Sequence, residues 1–316
     1  MTTEAQAIPQ AAPRGLGAAR PRWGERLVEW ALLGCALLSV VVTVGILIAL
    51  FEPSIEFFRE VSIVDFFTQK EWAPLFKPAS FGVSPLVVGT LITTFWAIVV
   101  CVPFGLGAAI WLSEYAHPRA RAILKPTLEV LAGVPTVVYG FFALTFVTPL
   151  LQSVWPGFLG EEPAVFNALA AGLVMGVMIL PTVASLSEDA MSAVPGGLRE
   201  GALALGGSRM QVATRVVVPA ALSGIVASFV LAISRAVGET MIVLIASGLR
   251  PNTSLNPAEP HQTMTGFIGQ AGIGDLSTGS IGYQTIFAVG ATLFVATFLM
   301  NMLSIRLVRR YRQVYE

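Results

Sequence analysis

The sequence predicts an all-α integral membrane protein with six transmembrane helices, and three observations lead to this fold class. Of its 316 residues, 55% are hydrophobic and only 12% carry a charge, whereas an ordinary soluble domain has roughly 25% charged residues. The mean hydropathy is +0.75. Six predominantly apolar runs reach the roughly 20 residues that a helix needs to cross a bilayer. This composition excludes most soluble proteins.

The first apolar run, Leu27–Phe51, is predicted to be a retained membrane anchor. Its apolar stretch is longer than the roughly 7–15 residues of a signal-peptide core, and no small-x-small cleavage site follows it. The second to fifth runs contain Gly, Pro and small polar residues, which suits helices that pack against protein. The five later runs are Leu86–Ser113, Thr127–Leu151, Val165–Ser187, Ala220–Ser247 and Tyr283–Val308.

Lysine and arginine are distributed unevenly between the predicted loops. Fourteen of them lie in the two tails and in the second and fourth loops, and four lie in the other loops. The positive-inside rule therefore predicts that both termini are cytoplasmic. The remaining basic residue, Arg235, lies within the fifth apolar run.

The predicted spans divide the chain into segments. Residues 1–24, rich in Ala, Pro and Arg, are expected to form a disordered cytoplasmic tail, and residues 25–84 hold the first span and an external segment. Residues 85–308 form the main transmembrane domain, which includes a cytoplasmic loop at 188–219. Residues 309–316 form a cytoplasmic C-terminal tail.

Charge, cysteine and histidine content exclude further classes of function. Nineteen basic and nineteen acidic residues cancel, so no global field favours binding to nucleic acid. The two cysteines, Cys35 and Cys101, lie in apolar runs and are interpreted as buried thiols rather than a disulfide framework. Neither histidine has a neighbouring Cys, His or carboxylate at metal-ligand spacing, so no metal site is predicted.

The cytoplasmic loop between spans four and five carries a distinct pattern. Residues 198–205 can form a short helix that the paired glycines Gly206 and Gly207 can end. Such a helix could dock into the groove of a partner protein; the alternative is a connector that lies on the membrane surface. The sequence reads Glu200-Gly201-Ala202, then Gly206, then Val218-Pro219.

This spacing resembles the EAA loop of ABC-importer permeases and implies the type I ABC-importer permease architecture. In that family the loop is the coupling helix, which sits in a cleft of the cytoplasmic ATPase. Gly201 stands where the family usually has Ala, and it should weaken the helix slightly; Val218 stands where the family usually has Leu. The residues on the motif are Glu200, Gly201, Ala202 and Gly206, with Val218 and Pro219 closing it.

Three further strings resemble the phosphate branch of this family, and together the matches reach from about residue 60 to the end of the chain. The external segment with Trp72-Ala73-Pro74 favours the PstC family of permeases over its sister family, PstA. The strings lie at residues 66–91, at Leu131-Ala132-Gly133-Val134-Pro135-Thr136-Val137-Val138-Tyr139-Gly140-Phe141-Phe142 and at Ser234-Arg235-Ala236-Val237-Gly238-Glu239-Thr240.

Two charges lie within the fifth apolar run. A charge near mid-bilayer costs about 2.5–3.5 kcal/mol on insertion scales, so Arg235 and Glu239 should face protein or a water-filled path. Their i, i+4 spacing places both on one face of a helix, where they can pair. They are either a buried ion pair that fixes helix packing or part of a transport path.

In the transport interpretation, the fixed fork of donors on Arg235 matches phosphate oxygens. Glu239 holds Arg235 in place while the path is empty. The resemblance also implies that Arg235 and Glu239 belong to a transport path, because the matching Arg and Glu of the family lie by the phosphate pathway. Further hydroxyls that could line the path, or could instead bond to their own helix, belong to Thr136, Tyr139, Ser234 and Thr240.

The chain is expected to be a transport subunit and not an enzyme. A P-loop needs Gly-Lys-Ser/Thr, and none of the three lysines follows a glycine. No cofactor is therefore expected on this chain, and ATP and Mg are used by a partner ATPase. The resemblance implies a PstA-like sister permease, two copies of the ABC ATPase and an external phosphate-binding protein, in a lipid bilayer and without nucleic acid.

Other functions remain open from the residues. A permease for another oxyanion, molybdate or sulfate, would share the same architecture. A secondary transporter could couple protons through Glu239, and it would need neither the loop motif nor an ATPase. A channel or a purely structural membrane subunit would show no saturable, energy-dependent uptake.

Overall fold

The computed structural model describes residues 23–311 except Leu75, Phe158, Leu159 and Asp275, with side chains described as far as residue 306. Most of both predicted tails, residues 1–22 and 312–316, lies outside the described residues. The chain forms two compact units, residues 1–49 and 50–316.

Helix α1, Trp23–Glu60, is longer than the predicted first span. It begins before Leu27 and continues beyond Phe51, through Pro53. In the first unit its side chains are exposed from Trp23 to Ile46, as suits an apolar helix that is surrounded by lipid. Cys35 is among them, so its interpretation as a buried thiol is wrong, because an apolar run can face lipid instead of a protein core.

The segment after α1 contains a small β-hairpin that the all-α prediction missed. Helix α2, Ile63–Thr68, precedes strands β1, Trp72–Ala73, and β2, Ser80–Phe81, which pair antiparallel. Two-residue strands are too short to produce an alternating pattern in the sequence. The hairpin is held by edge-to-face aromatic contacts among Phe57, Phe66, Trp72, Phe81 and Phe267.

The third predicted span begins later than expected. Helix α3, Ser84–Tyr115, is followed by α4, Pro118–Ala132, and α5, Thr136–Val154. The prediction of Thr127–Leu151 joined the end of α4 to α5. The chain breaks between them because Gly133 ends α4 and Pro135 holds an extended conformation before α5, and a proline disfavours helical geometry in the residue before it.

The remaining helices complete the core and the loop after span four. Helix α6 runs on to Ser192, so the loop predicted from residue 188 begins five residues later than expected. The helices are α6, Ala168–Ser192; α7, Gly196–Ala204; α8, Arg209–Ala220; α9, Leu222–Val237; α10, residues 241–247; α11, Met264–Ile273; and α12, Ile281–Tyr311.

The structure has five or six candidate membrane spans, and the higher number equals the six that the sequence predicts. Five helices in the described part of the chain (α1, α3, α5, α6 and α12) are long and apolar enough to cross a membrane. Helices α8 and α9 meet at an angle of 73°, and the count is six where this bent pair is taken as one broken span. The fifth span was predicted as one helix, Ala220–Ser247, but the structure interrupts it between α9 and α10.

Helices α3 and α6 form the centre of the core. Gly172 and Gly176 on α6 allow the two backbones to approach: a Cβ atom on Gly176 would lie 2.7 Å from the carbonyl oxygen of Ala97. Small residues at such positions are typical of helix packing in membranes. Cys101 is buried in this core, as predicted.

Candidate functional site

The predicted short helix in the loop after span four is confirmed as α7. It starts two residues before the predicted Leu198 and ends at Ala204, one residue early. Gly206 then adopts φ +82°, and the N–H groups of Gly206 and Gly207 donate to the carbonyls of Leu203 and Ala202 at 2.9 and 3.1 Å. Gly206 thus closes the helix in the left-handed conformation that glycine favours, and Gly207 donates the second closing hydrogen bond.

Helix α8 follows directly and gives the loop a helix–turn–helix form. A capping box starts it: the Ser208 amide donates to Gln211 Oε1 at 2.9 Å, and the Gln211 amide donates to Ser208 Oγ at 3.3 Å. Helix α7 buries none of its own side chains, and Leu205 at its end is 91% exposed. The motif residues Glu200 and Gly201 are exposed as well. The loop therefore presents an apolar tip and one face of α7.

Arg235 lies on α9, half-buried, and faces α6. Its Nη1 donates to Thr182 Oγ1 at 3.0 Å. Thr182 directly follows Pro181 within α6. Within the described part of the chain, Arg235 forms no salt bridge. Its positive charge is thus held by a neutral hydroxyl and is not neutralised by a carboxylate.

The predicted pairing of Arg235 with Glu239 is wrong. Helix α9 ends at Val237 and Gly238 is its cap, so Glu239 lies beyond the helix on which an i, i+4 pair would form. Glu239 Oε1 instead accepts from the amides of Met241 and Ile242, at 3.0 and 3.3 Å. A carboxylate at this position satisfies the free N–H groups that begin α10 and interacts favourably with its dipole.

Residues 238–240, here called the span-five break, are fixed by α11. Thr265 Oγ1 donates to the Glu239 carbonyl at 2.6 Å. Thr240 is close enough to α11 that a Cβ on Gly269 would lie 3.2 Å from its Cγ2. Interrupted helices inside membranes occur where protein or a water-filled cavity surrounds the backbone.

The other predicted pathway hydroxyls point to different neighbours. Ser234 Oγ donates to Asn301 Oδ1 on α12 at 2.7 Å. The Tyr139 hydroxyl donates to the carbonyl of Leu131, at the end of α4, at 3.0 Å, so it bridges the break before α5. Thr136 is the first residue of α5.

Helix α5 nevertheless meets the span-five break through α10. A Cβ atom on Gly140 would lie 2.9 Å from Ile245 Cδ1, and Tyr139 packs against the core that contains Ala236 and Ile242. The structure thus brings α5, α6, α11 and α12 together around α9 and α10. Every one of these helices carries a predicted site residue or the bonding partner of one.

Three polar residues at this junction were missed by the sequence analysis: Thr182, Thr265 and Asn301. Asn301 carries a signal that could have found it, because an amide within the apolar run of span six must find a partner inside the membrane. Thr182 and Thr265 carry none, since intramembrane threonines commonly bond to their own helix.

A separate charged cluster ties α4 to the end of α6. Glu188 is fully buried and pairs with Arg121 and with Lys125, the latter at 2.8 Å; Lys125 also pairs with Asp189. Burial alone lowers the pKa of Lys125, but its hydrogen bonds to Asp189 and Glu188, together with the negative charges of these two groups, outweigh burial and raise this pKa above its usual value. These contacts hold α4, which buries no side chain of its own, against the core.

The loop before α11 covers the start of α6. The carbonyls of Glu259 and Pro257 accept from the amides of Ala168 and Leu169, which satisfies the free N–H groups of the first turn of α6. A hydrogen bond from Asn252 holds the pKa of the Glu259 carboxyl below its usual value.

Among the described residues, no group of three His, Cys, Asp or Glu side chains could hold a metal ion.

Comparison with known sequences identifies the family. Residues 101–313 match the family described as "Binding-protein-dependent transport system inner membrane component". The probable ABC transporter permease protein YqgH of Bacillus subtilis is 34% identical over 274 residues, which cover 85% of this chain and 86% of that protein. The phosphate transport system permease protein PstC of Mesorhizobium japonicum is 32% identical over 282 residues, which cover 84% of each.

Solved structures show the same fold. A bacterial ABC transporter involved in the import of the polysaccharide alginate contains a chain with a TM-score of 0.61 and 17% identity, over 92% of this chain and 99% of that one. The inward-facing MetNI methionine ABC transporter gives a TM-score of 0.52 and 20% identity, over 73% and 95%. The fold is therefore that of type I ABC-importer permeases.

Sequence and structure comparisons agree on what the chain is. Permeases of this family work with an ATPase and with a substrate-binding protein, and they lie in the inner membrane. The apolar helices and the loop with α7 fit that description. The chain is a multi-pass transport subunit, and it belongs to the family of binding-protein-dependent transport system inner membrane components.

Proposed function

We propose that this chain is the membrane-spanning permease subunit of an ATP-driven importer of inorganic phosphate. The observation that carries the proposal is Arg235, a half-buried guanidinium beside the span-five break whose recorded side-chain partner is the neutral Thr182. Its remaining donors match the geometry of phosphate oxygens. The relatives named as phosphate transport permeases support this choice of substrate.

The translocation path is proposed to run past the span-five break. Arg235 provides a weak, transient contact for the anion, since a deep binding well would trap it. Glu239 keeps the break open by capping α10. The hydroxyls of Ser234, Thr240, Thr136 and Tyr139 line the path when the helices around it move apart.

Energy for transport is proposed to come from other subunits. Two copies of an ABC ATPase bind ATP and Mg, and this chain binds neither. A PstA-like sister permease completes the path, and a phosphate-binding protein delivers the substrate from outside. Closure of the ATPase dimer on ATP pulls α7, which carries Glu200, Gly201 and Ala202, and with it the turn at Gly206 and the end of α8 at Pro219. The cavity then switches between inward- and outward-facing states.

Uptake of labelled phosphate by cells with and without this chain tests the proposal. The expected result is an ATP-dependent uptake that is lost without the chain and that excess molybdate or sulfate does not block. Block by either competitor would assign the chain to another oxyanion. Uptake that persists without any ATPase would point to a secondary transporter.

Replacing Gly206 with valine is expected to weaken binding of the ATPase. A non-glycine residue in the left-handed conformation costs roughly 1–2 kcal/mol, so the end of α7 should fray and co-purification of the ATPase should fall several-fold. Gly201→Ala is the matched control: Gly201 has open space around it and alanine favours the helix, so the ATPase should stay bound. Equal binding by the Gly206→Val variant would contradict this role of the turn.

A further inference from the structure

Arg199 lies on α7 and connects this helix to the end of α6. Its Nη1 donates to the carbonyl of Val194 at 2.6 Å, and its Nη2 donates to the carbonyl of Met191 at 2.7 Å. These carbonyls lie at or just past the last turn of α6, which ends at Ser192. A cation at a helix C-terminus also interacts favourably with the helix dipole.

The same guanidinium connects α7 to the end of α3. Arg199 Nε and Nη2 donate to Glu114 Oε1 at 3.2 and 3.1 Å. Glu114 lies in the π-helical last turn of α3, and its side chain is only 8% exposed. Such a two-point contact between guanidinium and carboxylate fixes both distance and orientation.

The covalent link from α6 to α7 is less able than the Arg199 contacts to transmit a movement of α7 to α6. It consists of residues 193–195, and α7 then begins with Gly196 and Gly197, neither of which has a neighbouring atom where a Cβ would lie. Helix α7 buries no side chain of its own. By contrast, α3 and α6 pack closely through Gly172 and Gly176 and should move as one body.

We propose that Arg199 is the positioning residue that transmits movement of α7 to the paired ends of α3 and α6. The inference rests on the proposed function in so far as an ATPase moves α7. When α7 shifts, Arg199 carries the carbonyls of α6 and the carboxylate of Glu114 with it. Without Arg199, α7 can still dock on the ATPase but pivots on its glycines.

The test uses the complete importer reconstituted in vesicles, with Arg199→Ala, Arg199→Lys and Glu114→Gln variants. Arg119→Ala is the matched control, since Arg119 is an exposed arginine on α4. The ATPase should co-purify with every variant. Substrate imported per ATP hydrolysed should fall about tenfold or more in Arg199→Ala, less in Arg199→Lys and Glu114→Gln, and not in the control.

Hydrogen exchange provides a readout that does not depend on the substrate. In the wild-type complex, binding of ATP should change amide exchange in residues 111–115 and 188–194, and Arg199→Ala should abolish that change. An unchanged import ratio, a retained exchange response, or loss of the ATPase from the variant complex would each overturn the inference. Failure of the wild-type complex to import phosphate would instead overturn the proposed function, while the exchange comparison would still stand.

Discussion

Arg235→Ala is expected to reduce phosphate uptake by roughly ten- to a hundredfold without preventing assembly. A hydrogen bond that involves a charged group contributes about 1.5–3 kcal/mol, which corresponds to that range of rates. Because Arg235 contacts Thr182 and makes no ion pair in the described residues, its removal leaves no buried carboxylate without a partner. Uptake by cells and recovery of the purified complex measure the two effects separately.

Two further variants sharpen the interpretation of Arg235. Arg235→Lys keeps the charge but loses the planar fork, so we expect partial uptake. Glu239→Gln keeps an oxygen that can accept from the amides of Met241 and Ile242, so the complex should assemble and retain uptake. Wild-type uptake by Arg235→Ala would refute a role in the path, and loss of the assembled complex would show that Arg235 serves packing.

Gly176→Ala is expected to destabilise the membrane domain by roughly 1–3 kcal/mol, the usual effect of overpacking. The added Cβ would lie 2.7 Å from the carbonyl oxygen of Ala97 and 2.7 Å from Val100 Cβ. Backbone atoms of α3 cannot move aside as the end of a flexible side chain can, so α3 and α6 must separate. Thermal unfolding of the purified complex in detergent should show a lower midpoint.

Gly107→Ala is the matched control for this prediction. Gly107 lies on α3, and a Cβ there meets no atom within 4 Å. Alanine has the higher helix propensity by up to about 1 kcal/mol, so the midpoint should stay the same or rise. Equal midpoints for the Gly107 and Gly176 variants would contradict close backbone packing between α3 and α6.

Local signals in the sequence predicted the elements that depend on local physics. Each apolar run predicted a span because a bilayer of fixed thickness needs a fixed length of apolar helix. The signal for the end of α7 was equally local, since Gly206 adopts the left-handed conformation that only glycine favours. The spacing from Glu200 to Pro219 was sufficient to suggest the family.

Helix breaks inside apolar runs were harder to predict. Hydropathy is averaged over a window, so the interruptions before Thr136 and after Val237 leave the average high. The break before α5 contains a glycine, Gly133, and a proline, Pro135, which are both local signals for the end of a helix. Proline alone is not a sufficient signal, because Pro103 and Pro181 lie within continuous helices. Whether such a residue breaks a helix depends on whether neighbouring helices satisfy the freed backbone groups.

The sequence by itself determined the class of the molecule, the apolar runs that supply its spans, the short helix after span four and Arg235 as a charge that needs a partner. Only the tertiary structure decided that this partner is Thr182, that Glu239 caps α10, and that Arg199 joins three helix ends. Hydropathy, glycine conformation and motif spacing are local properties that can be read along the chain. Hydrogen-bond partners from different spans are chosen by how the helices pack, and that packing depends on contacts between residues far apart in the sequence.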